Sequence, residues 1–160
     1  MKPSCRLSES TPMQTVVAIA SGGGHWVQMG RLRPGLDALD VHYVSVDRSY
    51  AAEVGAARLS IIRDASRWTK LDLVVQAVQV FWILLRRRPD FVVSTGAAPG
   101  FFALAFGKLF GAKTVWIDSL ANVEKMSLSG RLARPFADLW LTQWPHLEQT
   151  AGPKYAGAVL

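Results

Sequence analysis

The residues most suited to chemistry are a serine, three glycines and a histidine that directly follow an apolar run: Ser21, Gly22, Gly23, Gly24 and His25. Consecutive glycines let the backbone approach a ligand closely, and a helix that follows them points free N–H groups and the positive end of its dipole at that ligand. The pattern predicts a binding corner for a phosphate or diphosphate. A tight turn without a ligand is the alternative, but ordering three glycines for a turn alone carries a large entropy cost.

His25 would lie at the mouth of that helix, where two roles are open. The positive helix terminus favours the neutral imidazole that a general base requires, and the same position suits a phosphate ligand. Asp118 and Glu124 are reserve candidates for an acid or a base, although solvated or capping carboxylates are the more common outcome for such residues.

A second loop of small residues follows another apolar run, at residues 91–94. In this loop, Thr95, Gly96 and Ala97 could turn backbone N–H groups toward the same anion as the first loop. A packing turn is the alternative. We therefore predict a diphosphate site to which both loops contribute.

The sequence lacks the residues that several other kinds of site require. The glycines are not followed by the lysine of a Walker motif, and the third glycine of a dinucleotide fingerprint would fall on Val27. Asp47 does occupy roughly the slot of a ribose-binding acid, so a small dinucleotide-binding domain stays open as an alternative. The three histidines are scattered and Cys5 is remote from them, so no metal site is predicted. No nucleic-acid-binding module is recognisable either.

Length and composition indicate one domain with a sizeable core. The chain has 160 residues, of which 50% are hydrophobic, and its net charge of +6 suits anionic partners such as acidic lipids or phosphorylated substrates. A single cysteine cannot form a disulfide within the chain, which fits a reducing compartment. Residues 1–13 are polar and are predicted to form a disordered leader, with residues 14–160 as the domain.

Strand-like and helix-like patterns alternate along the whole chain. The predicted strands cover residues 16–20, 41–46, 59–62, 91–94, 114–117 and 139–143, and the predicted helices cover 26–39, 50–57, 71–88, 101–110 and 129–137. Such alternation, with nearly continuous apolar strands, predicts a single Rossmann-like α/β domain whose parallel sheet is covered on both faces. Ligands bind such sheets at the carboxyl ends of the strands, where the loops 21–25, 95–100 and 118–129 would meet.

The predicted helix at 71–88 raises the question of membrane contact. Its apolar part, residues 71–85, would be roughly 22 Å long, which is short of the ~30 Å hydrocarbon core of a bilayer, so it is not predicted to span one. It is either a core helix or an interfacial helix with a basic end. The mean hydropathy of +0.18 favours lipid contact. The residues predicted to touch the membrane are Trp82, Arg86, Arg87, Arg88, Phe101 and Phe102.

Taken together, these segments resemble a known family of glycosyltransferase subunits. The motifs are SGGGH at 21–25, STG at 94–96, DSLANV at 118–123, SLSG at 127–130, PFAD at 135–138 and QW at 143–144. They are similar to the acceptor-side subunit of split glycosyltransferases, of the ALG fourteen/PssD type, which is related to the N-terminal half of MurG. The resemblance covers roughly residues 15–157.

The resemblance implies a division of labour between two chains. This chain would be a GT-B half that binds the membrane and a polyprenyl-diphosphate-linked acceptor, without a cofactor of its own. A partner of the ALG thirteen/PssE type would bind the UDP-sugar, either UDP-GlcNAc or UDP-GlcA. The product would be a β-linked sugar in polysaccharide or glycolipid biosynthesis. Eukaryotic members carry an N-terminal membrane anchor that is not seen here, so the expected location is peripheral, on the cytoplasmic face of the inner membrane.

Within that resemblance, His25 would be the base of an inverting transfer, and the loops at 21–25 and 95–100 would hold the acceptor diphosphate. Many members have glutamate where this chain has Asp118, which makes a direct role for that carboxylate less secure. Two alternatives stay open. The chain could be a non-catalytic membrane scaffold that recruits the donor-binding subunit, or it could be the small dinucleotide-binding domain considered above.

Overall fold

A computed structural model of the chain describes residues 13–66 and 68–159, so the predicted leader lies outside the described residues apart from Met13. The strands are β1 (Thr15–Ile19), β2 (Asp40–Ser45), β3 (Arg58–Ile61), β4 (Phe91–Ser94), β5 (Lys113–Ile117), β6 (Leu139–Thr142) and β7 (Lys154–Tyr155). The helices are α1 (Gly24–Leu36), α2 (Ala51–Val54), α3 (Lys70–Arg87), α4 (Ala97–Leu109) and α5 (Leu128–Ala133). Short 3₁₀ helices cover Arg48–Tyr50, Arg134–Phe136 and Pro145–Leu147.

The strands form one parallel sheet in the order β3-β2-β1-β4-β5-β6-β7, which confirms the predicted Rossmann-like α/β fold. The chain runs outward from β1 to β3 and then returns to β4, which pairs with β1 on its other side. This reversal of strand order opens a crevice at the carboxyl ends of β1 and β4, where open α/β sheets bind their ligands.

The core lies on both faces of the sheet, because successive side chains of a strand point to opposite sides. On β1, Val17 and Ile19 pack against α3 and α4, whereas Val16 and Ala18 pack against α1. A strand buried on both faces needs apolar residues at every position, which is why the predicted strands are continuous apolar runs rather than alternating ones.

Two elements differ from the sequence-based prediction. Residues 139–143 were expected to be the last strand, but β7 follows and pairs with β6 at the sheet edge. Its two residues are exposed, so it has no apolar run to reveal it. Helix α4 begins at Ala97 rather than at residue 101, because Pro99 fits the first turn of a helix, where its missing N–H has no partner to lose.

Helix α3 keeps one face in the core and the other in solvent. Its buried residues are Gln76, Val80 and Leu84, spaced four apart, while several valines and Trp82 on the other side remain exposed. Among residues 13–66 and 68–159, no helix is both long enough and apolar enough to cross a bilayer.

The carboxyl end of α3 is fastened to the sheet through a buried histidine. Arg87 Nε donates to His42 Nδ1 at 2.8 Å, and because a guanidinium cannot accept, His42 must carry its proton on Nε2, which lies 2.7 Å from Ser60 Oγ. Burial, together with the nearby Arg87 and Arg58, lowers the pKa of His42 to about 4. The histidine is therefore neutral in the folded protein at physiological pH.

This lowered pKa makes stability depend on pH in a defined window. The unfolded chain protonates His42 below pH 6.5 while the folded chain does not until about pH 4, so the free energy of unfolding should decrease as the pH falls between these values. We expect a loss of roughly 1–2 kcal/mol between pH 6.5 and 5. Thermal unfolding of His42→Gln should show a flatter profile there. The exposed His146→Gln serves as the control, and equal profiles for the two variants would contradict the assignment.

Candidate functional site

Three loops meet above the carboxyl ends of β1, β4 and β5 and surround a cleft of about 530 Å³. One wall carries the polar side chains of Ser119, Ser127 and Ser129, and the other carries apolar residues of α4. His25 lies between them, at the first turn of α1. The cleft is therefore amphipathic, with an ionisable side chain among its lining residues.

His25 and Thr95 are joined by two hydrogen bonds that run in opposite directions. His25 Nδ1 lies 2.8 Å from the Thr95 carbonyl oxygen, and Thr95 Oγ1 donates to the His25 carbonyl oxygen at 2.7 Å. A carbonyl can only accept, so Nδ1 carries the proton and Nε2 of the neutral ring has a free lone pair. The imidazole is thus held in the tautomer that can accept a proton at Nε2.

Gly96 provides the space that the imidazole occupies. A Cβ at this position would lie 2.6 Å from His25 Cε1 and 2.7 Å from Nδ1, and the backbone φ of +130° disfavours any side chain. The Gly96 N–H donates to Ser94 Oγ at 3.1 Å. The Gly96 N–H, expected at the anion, is therefore engaged with Ser94, and the Thr95 hydroxyl is engaged with the backbone of His25. Ala97, with a φ of 64°, begins α4 and lines the cleft.

The glycines after β1 are braced by a tyrosine that the sequence did not single out. Tyr50 Oη accepts a hydrogen bond from the Gly23 N–H at 3.0 Å, and its ring stacks on Trp26 with centroids 4.5 Å apart. A Cβ on Gly22 would touch that hydroxyl at 3.4 Å, whereas one on Gly24 would meet no described atom within 4 Å. The space beside Gly23 is equally open, but its N–H is bound to Tyr50, so Gly24 offers both open space and a backbone N–H that does not bind Tyr50.

The N-termini of α1 and α4 are both open at this edge of the sheet. Each helix has 13 residues and begins after a glycine, and within the described residues no side chain caps either end. Their first N–H groups therefore lack intrahelical partners, and the two helix dipoles add positive potential at the crevice. This agrees with the predicted preference for an anion.

Asp118 has a different environment from a solvated acid. Its side chain is only 2% exposed, and its two carboxylate oxygens accept hydrogen bonds from Trp116 Nε1 (3.1 Å), the Ser127 N–H (2.7 Å) and Ser127 Oγ (2.5 Å). A Cβ on Gly130 would lie 2.9 Å from the Asp118 carboxylate. These contacts account for the SLSG motif: its serine binds Asp118 and its glycine lets α5 come close. Asp118 thus anchors the loop that forms the polar wall of the cleft.

A buried pair of glutamines joins this loop to α1. Gln28 Nε2 donates to Ser119 Oγ at 3.1 Å, and Gln143 Nε2 donates to Gln28 Oε1 and to the Asp118 carbonyl, each at 2.8 Å. Gln143 Oε1 accepts from the Val159 N–H at 2.8 Å. The first residue of the QW motif is therefore a structural link, and only its burial among distant segments reveals that role.

Two other candidate acids lie away from His25. Glu124 is exposed and lines a separate pocket of about 390 Å³ together with Arg131 and Arg134. Asp47 accepts from the Ser49 N–H at 2.8 Å, which lowers its pKa, and this bond caps the 3₁₀ helix that carries Tyr50. Among the described residues, no group of three or more His, Cys, Asp or Glu side chains is arranged to hold a metal ion.

The residues predicted to contact a membrane differ in their surroundings. Arg86 is exposed and lies 5.5 Å from the Trp82 ring, but Arg87 turns inward to His42, and Arg88 lies over the Phe110 ring. This differs from the predicted face of three arginines, because neighbouring helical residues point about 100° apart. Phe101 and Phe102 are half-buried in the wall of the cleft. The exposed apolar face of α3 comprises Leu71, Val74, Val75, Val78 and Trp82.

The contact between Gly96 and His25 yields a test that needs no ligand. Gly96→Ala should push the imidazole away from the Thr95 carbonyl and destabilise the fold by about 1–3 kcal/mol, through the clash and the positive φ. Thermal unfolding and the NMR resonances of the His25 ring would measure both effects. Gly24→Ala, where space is open, should leave the ring unchanged. An unshifted His25 resonance in Gly96→Ala would contradict the role of this glycine.

Comparison with known proteins shows that the chain is similar to a protein family, and to relatives, that carry the name Alg14. A family model described as "Oligosaccharide biosynthesis protein Alg14 like" matches residues 41–159. The UDP-N-acetylglucosamine transferase subunit alg14 of Schizosaccharomyces pombe is 29% identical over 173 residues, covering 88% of this chain and 80% of the relative. The subunit ALG14 of Eremothecium gossypii is 34% identical over 124 residues, covering 70% of this chain and 51% of the relative.

Solved structures share the fold at low sequence identity. MurG of Acinetobacter baumannii matches 88% of this chain with a TM-score of 0.71 and 10% identity. The UDP-N-acetylglucosamine 2-epimerase of Rickettsia bellii matches 84% of it with a TM-score of 0.65 and 14% identity. The matched regions are 44% and 40% of those two chains, so this chain spans less than half the length of either structure.

Proposed function

This chain belongs to the family of Alg14-like oligosaccharide biosynthesis proteins, and from this premise we propose that it is the acceptor-binding subunit of a two-chain, inverting glycosyltransferase. The donor is UDP-GlcNAc, because both relatives described above are named UDP-N-acetylglucosamine transferase subunits; UDP-GlcA is the alternative donor. The acceptor is a saccharide linked to polyprenyl diphosphate, in polysaccharide or glycolipid biosynthesis. The observation that carries this proposal is the single tautomer of His25, held in a cleft with open helix N-termini.

The acceptor is oriented by the two chemistries of the cleft. Its diphosphate lies against the N-termini of α1 and α4, where Gly24 and Ala97 leave the backbone accessible and the dipoles favour negative charge. Its lipid end lies toward Phe101 and Phe102, and its saccharide lies toward the serines of the opposite wall. Ser21 and Gly22 complete the diphosphate loop, as the sequence predicts.

His25 acts as the general base in this arrangement. Nε2 takes the proton of the acceptor hydroxyl while the hydroxyl oxygen attacks the anomeric carbon, the bond to UDP breaks, and the configuration inverts to a β-linkage. The proton that arrives on Nε2 makes an imidazolium, which the Thr95 carbonyl stabilises through the Nδ1–H bond. In this proposal, Thr95 and Gly96 position the base, and Asp118 positions the loop that faces it. The contacts of Thr95 and Gly96 with His25, and of Asp118 with Ser127, support these roles.

The donor site belongs to a second chain of the ALG thirteen/PssE type in this proposal. The described residues form one sheet domain, and its match to MurG accounts for 44% of that protein. A nucleotide-sugar must face His25 across the crevice, so the partner covers the carboxyl ends of the strands. This chain itself binds no cofactor, and UDP-GlcNAc contacts mainly the partner.

We place the complex peripherally on the cytoplasmic face of the membrane. The exposed face of α3 is apolar over several turns and ends at Arg86, which fits a helix lying in the bilayer interface with a cation at the headgroups. In the alternative hypothesis, this chain only recruits the donor-binding subunit to the membrane and takes no part in the chemistry.

Partner dependence is the first test of this function. We expect the chain alone and the donor subunit alone to transfer no sugar, and the co-expressed complex to transfer GlcNAc from UDP-GlcNAc to a polyprenyl-diphosphate saccharide, measured with radiolabelled donor. UDP-GlcA and UDP-glucose serve as matched donors. Transfer by the isolated chain would contradict the two-chain proposal, and NAD binding without any sugar transfer would favour the dinucleotide hypothesis.

Substitution of His25 separates the catalytic and scaffold hypotheses. In the complex, His25→Ala should lower kcat by about 10²–10⁴-fold, the usual contribution of a positioned base. His25→Asn can still donate a hydrogen bond to phosphate but cannot accept a proton, so it should be equally impaired. His146→Asn, outside the cleft, is the control, with melting temperature and complex formation measured alongside. Near-normal kcat in His25→Asn would show that His25 is a phosphate ligand, and near-normal kcat in both variants would favour the scaffold.

A further inference from the structure

The His25 cleft continues into a groove between α3 and α4. Leu73 and Phe102 line both the cleft and this neighbouring groove, which has a volume of about 410 Å³. The other lining side chains all come from the same two helices and are all apolar or aromatic: Val74, Ala77, Val78, Phe81, Trp82 and Phe106. Among the described residues that line it, none carries a charge, so the groove offers hydrocarbon contact and little else.

The groove is elongated and leads away from the polar end of the site. From Leu73 to Trp82 it follows ten residues of α3, and the nine steps between them span about 14 Å at the helical rise of roughly 1.5 Å per residue. Val78 and Trp82 also line a further depression of about 370 Å³ beside Arg86. A ligand that fills this path has an anionic group at one end and a long, thin apolar body.

We propose that this groove binds the isoprene units next to the diphosphate of the acceptor, so that the protein recognises the lipid tail itself. The inference rests on the proposed function and extends it, because it assigns the tail as well as the head of the same ligand. The tail leaves the diphosphate at Ala97, passes Phe102 and Leu73, and runs along α3 toward Trp82. Only the tail beyond this point enters the bilayer.

Two features indicate which ligand fills the groove: its continuity with the cleft, and the preference of the polar end for an anion. The polar end of the path lies at two open helix N-termini, which attract an anion, and the apolar side chains of Leu73 and Phe102 connect the amphipathic cleft to the wholly apolar groove that ends at Trp82. A helix of a partner protein cannot follow it, since a helix is about 10 Å wide and would have to end in the catalytic cleft. A linear isoprenoid attached to a diphosphate matches both ends.

The bilayer itself fits the crest of α3 better than the groove beside it. Leu71 is 84% exposed and Val75 is 46% exposed, and neither lines the groove. The floor of the groove is formed by Leu73, Ala77 and Phe106, which are half-buried, whereas Val74, Val78 and Trp82 form its exposed rim. Helix α3 therefore presents a crest at Leu71 and Val75 for the membrane, next to a groove for one chain whose rim also belongs to the exposed face.

Binding of short isoprenoid diphosphates to the whole 160-residue chain tests this directly, in buffer free of lipid and detergent. Inorganic diphosphate sets the baseline, followed by dimethylallyl, geranyl, farnesyl and geranylgeranyl diphosphate in a calorimetric titration. We expect affinity to rise by about tenfold with each unit that enters the groove and then to level off once the groove is full. Equal affinity for inorganic and farnesyl diphosphate would overturn the proposal.

Two valines on the same helix provide a matched pair of variants. Val78 and Val75 are 50% and 46% exposed, but only Val78 lines the groove. Val78→Trp should reduce the affinity for farnesyl diphosphate about tenfold and leave that for inorganic diphosphate unchanged, while Val75→Trp should change neither. If the larger side chain perturbs folding, Val78→Asp and Val75→Asp give the same comparison through charge. An equal response of the Val75 and Val78 variants would overturn the groove and assign the whole face to the bilayer.

These binding measurements require neither a donor nor a partner chain, so they stand apart from the test of function. Sugar transfer by the complex that is indifferent to tail length would overturn the groove and leave the glycosyltransferase function standing. Tail-dependent binding without any sugar transfer would support the groove and contradict the proposed function.

Discussion

The site depends on the pair of hydrogen bonds between His25 and Thr95, because they join the segments that follow β1 and β4, the two strands between which the strand order reverses. The two bonds have complementary effects: the Thr95 hydroxyl holds the backbone of His25 in place, and the Thr95 carbonyl selects the tautomer of its ring. Gly96 must be glycine for the ring to fit against it. Loops are the usual carriers of function, and a rigid scaffold must position them. Here the scaffold positions an imidazole with a free Nε2 beside two helix N-termini.

Around this pair, buried polar side chains fix the loops relative to one another. Apolar packing cannot do this as specifically, because hydrogen bonds are directional and apolar contacts are not. Asp118 gathers the indole of Trp116 and both donors of Ser127, and Gln143 bridges Gln28 and the Asp118 backbone. The bonds of Gln143 tie segments at the carboxyl edge of the sheet to one another, and the bonds of Asp118 hold the loop after β5 in one conformation. Breaking one partner would leave a buried polar group unpaired, which costs more than the bond itself contributes. The polar wall of the cleft is consequently as well determined as its apolar wall.

Helix α3 serves two environments, and its ends show how. Gln76, Val80 and Leu84 hold it in the core, and Arg87 fastens its last turn to the neutral His42. Its outer surface is free to meet hydrocarbon. The neighbouring arginines at the basic end therefore have different environments. Arg87 stabilises the fold, and Arg86 remains at the surface. A helix that is apolar on nearly all sides is normally buried, and the proposed lipid contacts provide the burial that the sheet does not.

The sequence by itself determined the parallel α/β fold and the positions of the chemical loops, because both depend on local signals: apolar runs, glycines after a strand, and prolines. The features that the sequence left undetermined depend on the tertiary structure. Strand β7 has no apolar signal and exists because the edge of β6 is available to pair. The inward turn of Arg87 and the bracing by Tyr50 follow from contacts between distant segments, and the enclosure of Asp118 follows from the way its own loop folds back over it. The different surroundings of Asp118 and His25 were likewise decided by the tertiary structure, since hydrogen-bond partners, and not residue type, engage both oxygens of the Asp118 carboxylate and fix the tautomer of His25.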